Sequence, residues 1–441
     1  MAIFKQLRYN LLKDAGFPLW LRVLKLKKRS ASYFPAHSPF NPPLKSGRRL
    51  KEIMTRHYAL SRFAKNVKPV AWVTSGAPVE ILRSFDFYTL YPENHGALCA
   101  VVKKGPEMCQ IAEDRGYHPD LCSYARIDLG HCFSGRTPVG RLPKPDLLFC
   151  SSNICQTVVY WYKVLAHELR IPFILFDTPY NFDRLHEEDT AYMVEQIEEL
   201  IPVLERISGQ SFDFQKMQSV ISMAKETSDL WAAVLDTLKH RPAPMTIFDA
   251  FAHMAPIVSL RGLPVARSYY EILLSELRDR INQGVGALKT EKKRLMWDNI
   301  AIWYKLKDFA YLFAEHGMNF VTATYTNAWC ETTHHLDPSR PFESLARTYS
   351  LIILNNNLNH RLHLMKRLIK DFDVDGLVIH SAKSCKPYSI GQYDIKRLLN
   401  ETFHLPSVVI EADIADARAY SEGQTRLRIE AFIETVEAGV A

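Results

Sequence analysis

Three cysteines, Cys122, Cys155 and Cys385, occupy loop positions from which their thiols could bind metal or take part in catalysis. Cys155 follows an apolar run at 146–150 and precedes a helical period, so we expect it where a strand-exit loop enters a helix. Cys385 has a similar setting after the apolar run 376–380. Ligands gather past the carboxyl ends of strands in open α/β sheets, and a helix N-terminus favours a thiolate over a thiol. These settings favour ligating or reactive thiols.

Three thiolates that converge on one point suit two kinds of metal centre. One is a [4Fe–4S] cluster with one iron left open, and the other is zinc with an open coordination position. The sequence contains no closely spaced pair of the C-x₂-C kind. Spacing alone therefore also allows the alternative that the three cysteines are unrelated and share no ligand. The three cysteines can meet at one point only if two α/β units face one another. The remaining cysteines are interpreted as core (Cys150), as structural (Cys99, Cys109, Cys132) or as undecided (Cys330).

Two further polar residues follow predicted strands of the first α/β unit. Glu93 comes after the second strand, where its carboxyl could act as acid or base, although a surface loop carboxylate is the alternative. Ser75 lies in a loop of small residues after strand 70–73, where turn formation explains it without a ligand. His95 and His380 are interpreted as near-core histidines rather than proton carriers.

Short apolar runs alternate with helical periods around these residues. In the first unit, predicted strands at 70–73, 88–91, 146–150 and 171–176 are separated by helical segments. A similar alternation begins near 294–298 and continues to the end of the chain. Such alternation is typical of an α/β protein with parallel, doubly wound sheets.

We therefore predict two flavodoxin- or Rossmann-like parallel-sheet domains joined by a helical layer. The predicted segments are a basic helical arm and linker at 1–68, a first α/β domain with Cys122 and Cys155 at 69–190, a helical region at 191–300, and a second α/β domain with Cys385 at 301–441.

Length and composition narrow the class of protein. A chain of 441 residues with 47% hydrophobic residues is expected to form two or three domains with large cores. Eight cysteines in so long a chain do not indicate a disulfide framework. Residues 1–16 lack the apolar core of a signal peptide, and no apolar run approaches the roughly 20 residues of a membrane span. We therefore expect a cytoplasmic protein with no membrane partner.

The net charge of +7 is concentrated near the N-terminus, with one cluster at Lys25, Lys27, Lys28 and Arg29. No nucleic-acid motif accompanies this charge, so nucleic acid is not an expected partner. We interpret the cluster as a solvated face or an arm that docks a partner.

Six motifs occur in the order and with the spacing typical of the 2-hydroxyacyl-CoA dehydratase / class I benzoyl-CoA reductase family, which this sequence therefore resembles. They are Ser75-Gly-Ala-Pro-Val-Glu80, Tyr91-Pro-Glu-Asn-His95, Asp120-Leu-Cys-Ser-Tyr-Ala-Arg126, Ser152-Asn-Ile-Cys155, Ser384-Cys-Lys386 and Glu411-Ala-Asp-Ile-Ala-Asp-Ala-Arg418. The resemblance extends from about residue 70 to the C-terminus, whereas residues 1–68 lie outside the motifs.

This resemblance implies an iron–sulfur subunit. In the family, cysteines at the positions of Cys122, Cys155 and Cys385 bind a [4Fe–4S] cluster whose fourth iron is open to water or to the thioester carbonyl of an acyl-CoA. A homologous second subunit completes a heterodimer, and an ATP-dependent iron–sulfur ATPase injects one electron at low potential. A ketyl radical anion results, from which the hydroxyl leaves or, in the reductases, ring reduction proceeds.

The resemblance also makes Glu93 and Ser75 the candidate catalytic residues, Glu93 as acid or base and Ser75 as a hydrogen-bond donor near the open iron. Arg126 and Lys386 either offset cluster charge or meet CoA phosphate, or they form ordinary salt bridges. Dehydration of an (R)-2-hydroxyacyl-CoA is the leading hypothesis. The alternatives are reduction of an aromatic acyl-CoA, for which the Asn355-Asn-Asn357 triplet is a reason, and a non-catalytic electron-relay subunit. Whether a flavin is also bound stays open.

Overall fold

The computed structural model describes residues 2–17, 19, 37–65 and 67–439, and it contains two four-stranded sheets in which neighbouring strands are parallel. The strand orders are β2-β1-β3-β4 and β6-β5-β7-β8. The first sheet consists of β1 Val70–Val73, β2 Tyr88–Leu90, β3 Leu147–Ser151 and β4 Phe173–Phe176. The second consists of β5 Lys293–Asp298, β6 Met318–Ala323, β7 Gly376–Ala382 and β8 Ser407–Ala412.

Helices cover these sheets and connect them. Those of the first lobe, residues 70–176, are Val79–Ser84, Pro92–Val101, Gly105–Glu113, Ser123–Ser134 and Gln156–Leu169. The connecting helices are Glu187–Ser208, Phe214–Asp236, Ile247–His253, Ala255–Leu260 and Pro264–Asn282. Those of the second lobe, residues 293–438, are Leu306–Ala314, Thr324–Asn327, Pro341–Ser350, Leu358–Asp371, Lys386–Ser389, Gln392–Phe403 and Glu422–Ala438. The predicted α/β class, with two doubly wound sheets, is confirmed.

Several strands are buried along their whole length because helices cover both faces of each sheet. Every residue of β1 and β3 is buried, as is every residue of β6. Helices follow the strands at the same sheet edge, so the loops that carry the candidate residues lie at the carboxyl ends of the strands.

The second sheet begins before the predicted domain boundary at 301. Strand β5 pairs with both β6 and β7 and is therefore central to that sheet. Its first two residues, Lys293 and Arg294, are charged. The side chain of Arg294 is buried all the same, because it donates to the carbonyl oxygens of Leu238 and Phe372 and pairs with Glu291.

Residues 97–111 follow one helical period in the sequence, but in the structure they belong to two helices. The break follows Val101 and includes Lys103, whose φ of +59° lies in the left-handed region. Gly105 then starts the next helix, and a Cβ atom there would lie 2.0 Å from the carbonyl oxygen of Ala415 in the second lobe. The break therefore allows close backbone contact between the lobes.

The two lobes share an apolar core. Ala382, Ile414 and Ala415 of the second lobe pack in the same buried cluster as Trp72 and Tyr124 of the first. Burial of this kind contributes about 25 cal/mol per Å² of apolar surface, so the lobes stabilise one another.

The N-terminal residues that the structure describes pack onto this core. Helix Ala2–Leu11 buries Tyr9, and helix Ser46–Ala64 buries Ile53 and Leu60. The predicted docking arm at 25–29 lies outside the described residues. Within the described ranges, no helix combines the length and apolar character required to cross a membrane.

Candidate functional site between the lobes

A cavity of about 800 Å³ lies between the two lobes. Its wall includes all five candidate residues from the sequence, namely Ser75, Glu93, Cys122, Cys155 and Cys385. Loops at the strand ends of both sheets open onto this space, which explains how residues far apart along the chain come together.

The three cysteines share one local arrangement. The helices that begin immediately after Cys122, Cys155 and Cys385 are Ser123–Ser134, Gln156–Leu169 and Lys386–Ser389. In each case a backbone N–H three residues further along the chain donates to the sulfur; the donors belong to Ala125, Val158 and Tyr388. For Cys155 the N···Sγ distance is 3.4 Å. Such donors favour the thiolate form and orient the sulfur towards the cavity side of the turn.

Burial opposes ionisation of these thiols. It raises the pKa of Cys122 well above its ordinary value, and the nearby thiols of Cys385 and Cys155 raise that pKa further. Burial likewise raises the pKa of Cys385 to about 12, with Cys155 contributing in the same direction. The three sulfurs therefore lie close enough to influence one another. As thiolates they would need a compensating positive charge in this site.

Bound iron would provide that charge, and the donor set fits a cluster. Among the described residues, no three His, Cys, Asp or Glu side chains are placed to hold a single metal ion, so the zinc alternative gains no support. A [4Fe–4S] cluster distributes its thiolates over separate irons and so accepts wider spacing. With three cysteines as its ligands, one iron of such a cluster would have no thiolate from this chain.

A hydrogen-bonded bridge joins two of the cysteine loops. The hydroxyl of Ser384 donates to the carboxylate of Asp413 and accepts from the backbone N–H of Ser123 at 3.1 Å. Asp413 is fixed in turn by the backbone N–H groups of Ala415 and Asp416, at 2.9 and 3.0 Å. Ser384 precedes Cys385 and Ser123 follows Cys122, so this bridge links the loops of the two cysteines across the lobes.

The two basic residues that flank the cysteines have different surroundings. Arg126 is buried and pairs with Asp416 at 2.9 Å and with Glu113. It does not line the cavity, and its two ion pairs agree with the salt-bridge interpretation. Lys386 is exposed and is also absent from the cavity wall.

Glu93 and Ser75 meet because β1 and β2 are neighbouring parallel strands. Oε2 of Glu93 accepts from the backbone N–H of Ser75 at 2.7 Å, and Oε1 accepts from its hydroxyl at 2.9 Å. Burial raises the pKa of Glu93 to about 7, even though both hydrogen bonds from Ser75 act to lower it. A carboxyl group with such a pKa can either donate or accept a proton near neutrality.

The two histidines are near-core residues, as interpreted from the sequence. Burial lowers the pKa of His95 to about 3 and that of His380 to about 4, so both rings are neutral. Nε2 of His95 contacts the hydroxyl of Thr137 at 2.7 Å, and Nδ1 of His380 contacts the carbonyl oxygen of Ile300 at 2.6 Å. Both rings are therefore held in place by hydrogen bonds.

Several residues of the cavity wall were not predicted from the sequence. Tyr124 and Trp303 form a hydrogen bond across the lobes, and Tyr325 lies beside the same space. Glu80 and Arg261 form a buried ion pair at 2.8 Å. Glu80 ends the first motif and could have been noticed there, whereas no local pattern marks Arg261.

A parallel α/β protein with three cysteine thiols and a high-pKa carboxyl on one inter-lobe cavity has the features expected of an enzyme whose active site lies between two lobes. The sequence profile described as "2-hydroxyglutaryl-CoA dehydratase, D-component" matches residues 74–436. The chain belongs to this family, and the predicted resemblance is confirmed.

Individual relatives agree with this assignment. The alpha subunit of (R)-2-hydroxyisocaproyl-CoA dehydratase from Clostridioides difficile is 34% identical over 396 residues, which cover 88% of this chain and 95% of the relative. The alpha subunit of lactoyl-CoA dehydratase from Anaerotignum propionicum is 31% identical over 389 residues, which cover 84% of this chain and 92% of the relative. One subunit of benzoyl-CoA reductase from Thauera aromatica is 30% identical, with 84% and 89% covered.

Proposed function

We propose that this chain is the substrate-binding subunit of a two-subunit 2-hydroxyacyl-CoA dehydratase, which converts an (R)-2-hydroxyacyl-CoA to the enoyl-CoA. The observation that supports this most strongly is the inter-lobe cavity, where three thiols lie with Glu93 and Ser75. The relatives are each named as one subunit of an enzyme, so a homologous second subunit is part of the proposal. An ATP-dependent iron–sulfur ATPase would deliver the electron.

Cys122, Cys155 and Cys385 would hold a [4Fe–4S] cluster on the cavity wall. When bound, the cluster supplies one low-potential electron and an open iron that polarises the thioester carbonyl. The surrounding residues contribute by excluding water: the space is enclosed by two packed lobes and lined mainly by apolar and aromatic side chains. Such an enclosure protects reactive species from solvent.

Glu93 is the proton-transfer group in this proposal. With a pKa of about 7 it can protonate the departing hydroxyl or remove the neighbouring proton that must leave during dehydration. Ser75 holds the carboxyl through two hydrogen bonds and so fixes the direction of transfer. Placing the acid and its positioning group on adjacent strand ends restricts their movement.

The open end of the cavity is basic. Lys51, Arg62 and Arg141 line it and are exposed, and within the described part of the chain none of the three has a carboxylate in ion-pair distance. Phosphate groups of coenzyme A would meet these cations while the acyl end enters the cavity. Lys51 and Arg62 belong to helix Ser46–Ala64, which precedes the family motifs.

The alternatives receive less support. Asn355 donates to the carbonyl of Pro179 at 2.7 Å, and Asn357 caps helix Leu358–Asp371 by accepting from the N–H of His360. None of the triplet lines the cavity, so it does not favour an aromatic reductase. A relay subunit would not require so large a space beside its thiols.

Anaerobic co-expression with the second subunit and the ATPase tests the proposal. The assembled enzyme is assayed with lactoyl-, 2-hydroxyisocaproyl-, phenyllactyl- and 2-hydroxyglutaryl-CoA, and with benzoyl-CoA. We expect ATP-dependent formation of an enoyl-CoA from at least one 2-hydroxyacyl thioester. Reduction of benzoyl-CoA alone would assign the chain to the reductases, and no turnover with intact clusters would indicate a relay subunit.

Replacing Ser384 with alanine is expected to loosen the cluster without unfolding the chain. The substitution removes a hydrogen bond to a charged acceptor, which is worth about 1.5–3 kcal/mol, and frees the N–H of Ser123. We expect iron loss to an anaerobic chelator to accelerate about tenfold or more. Ser389→Ala is the matched control, because that hydroxyl donates only within its own lobe, to Ala382. Equal rates for both variants would contradict a bridging role for Ser384.

A further inference from the structure

We infer that the acyl group taken into this cavity is uncharged, apolar and bulky, either branched aliphatic or aromatic, and that Glu80 excludes a second carboxylate by neutralising Arg261. This inference rests on the proposed function, since it names the substrate class for the same site. Glu80, Arg261 and Tyr349 line the enclosed end of the cavity, and all three are nearly inaccessible to solvent.

These three side chains form a closed network. Nε of Arg261 donates to Oε1 of Glu80 at 2.8 Å, and the hydroxyl of Tyr349 donates to Oε2 at 2.6 Å. Arg261 also donates to the hydroxyl oxygen of Tyr349. Both carboxylate oxygens of Glu80 are thus occupied, and the guanidinium has a partner of opposite charge.

Aromatic rings cover the faces of the guanidinium. Its central carbon lies 5.9 Å from the ring centre of Trp329 and 5.7 Å from that of Tyr349. Stacking of this kind orients a guanidinium and withdraws it from other ligands. The paired and stacked Arg261 is therefore a wall of the cavity rather than an anion site.

None of the other charged or titratable groups that we consider on the described cavity wall provides an anion-binding site in place of Arg261. Lys51, Arg62 and Arg141 are exposed and therefore lie at the solvent-facing end, where coenzyme A would pass. His95 is neutral, and Glu93 would repel an anion when ionised. A carboxylate at the end of an acyl chain would thus be buried without a partner, which is strongly unfavourable.

Many of the other side chains that line the cavity are apolar. They include Leu336, Ile352, Ile353, Met254 and Val258. Each additional methylene that an acyl chain buries among such groups strengthens binding by about fourfold. A small acyl group would leave much of this surface unfilled, whereas a branched or aromatic one would cover it.

The test is equilibrium binding of saturated acyl-CoA thioesters, which lack the 2-hydroxyl group and are not turned over. Isocaproyl-, 3-phenylpropionyl-, propionyl- and glutaryl-CoA are titrated into the anaerobic two-subunit enzyme by calorimetry. We expect isocaproyl-CoA and 3-phenylpropionyl-CoA to bind tens of times more tightly than propionyl-CoA, and at least about 100-fold more tightly than glutaryl-CoA. Glutaryl-CoA binding as tightly as isocaproyl-CoA would overturn the inference.

The variant Glu80→Gln tests the neutralising role directly. The substitution should leave the positive charge of Arg261 without a counter-charge. The ratio of the Kd for glutaryl-CoA to the Kd for isocaproyl-CoA should then fall at least tenfold. Glu343→Gln is the matched control, because Glu343 pairs with Arg347 on the helix of Tyr349 and lies outside the cavity wall. An unchanged preference in folded Glu80→Gln would refute the role of Glu80.

If Glu80→Gln fails to fold, the double variant Glu80→Gln, Arg261→Met keeps the test valid, because removing both charges of a buried pair is better tolerated than removing one. It should retain tight isocaproyl-CoA binding and reject glutaryl-CoA; equal binding of the two would overturn the inference. Failure of the proposed dehydration is visible separately, as absent turnover of 2-hydroxyisocaproyl-CoA despite tight binding of isocaproyl-CoA.

Discussion

Replacing Cys155 with alanine is expected to abolish turnover by the assembled enzyme and to reduce the iron bound by this chain to background. Loss of one of three protein ligands leaves two irons of the proposed cluster without thiolate coordination from the chain, counting the iron that is open already. The fold should survive, because an N-cap substitution costs only about 1 kcal/mol. Iron and sulfide analysis and the visible absorption spectrum of the anaerobic protein report the loss independently of activity.

The matched control for this change is Cys150→Ala. Cys150 lies five residues earlier in β3, is fully buried and does not line the cavity. Its removal should lower stability slightly, through the lost side-chain volume, and leave the iron content unchanged. Full iron occupancy in Cys155→Ala, or equal loss in both variants, would rule out Cys155 as a ligand.

Glu93→Gln should lower kcat by about 10²–10⁴-fold, the range typical of a lost general acid or base. The glutamine can still accept from Ser75 through its amide oxygen, so KM and iron content should change little. Glu107→Gln is a suitable control, since Glu107 is exposed and pairs with Lys104. A kcat within a few-fold of the parent would exclude Glu93 from proton transfer.

The same variant has a characteristic pH dependence. Burial raises the folded-state pKa of Glu93 to about 7, above the unfolded value near 4.5. The protonated carboxyl therefore makes its full contribution to the free energy of unfolding at low pH. That contribution is lost as pH rises from about 4.5 through 7. Glu93→Gln should accordingly gain stability over the parent protein at pH 8 but not at pH 4. Melting temperatures measured across this range test the sign, and a difference that does not vary with pH would contradict the burial of a titrating carboxyl.

Much of the fold was evident in the sequence because parallel strands are buried on both faces. Runs such as 146–150 are apolar throughout and stand out between helical periods. The run at 294–298 was evident as well and corresponds to β5. The break after Val101 was not evident, because the close contact of Gly105 with Ala415 lies between the lobes.

The sequence was enough to predict the local settings of the thiols of Cys155 and Cys385, since a strand followed by a loop and a helix is a short-range pattern. It also identified Glu93 and Ser75 as residues at strand ends. The structure of the folded chain was needed to show that these groups share one cavity, because their convergence depends on strand order and on how the lobes pack. It alone revealed Arg261, whose partners Glu80 and Tyr349 are 181 and 88 residues away along the chain. Contacts at such separations leave no periodic or motif signal, so they emerge only when the chain is folded.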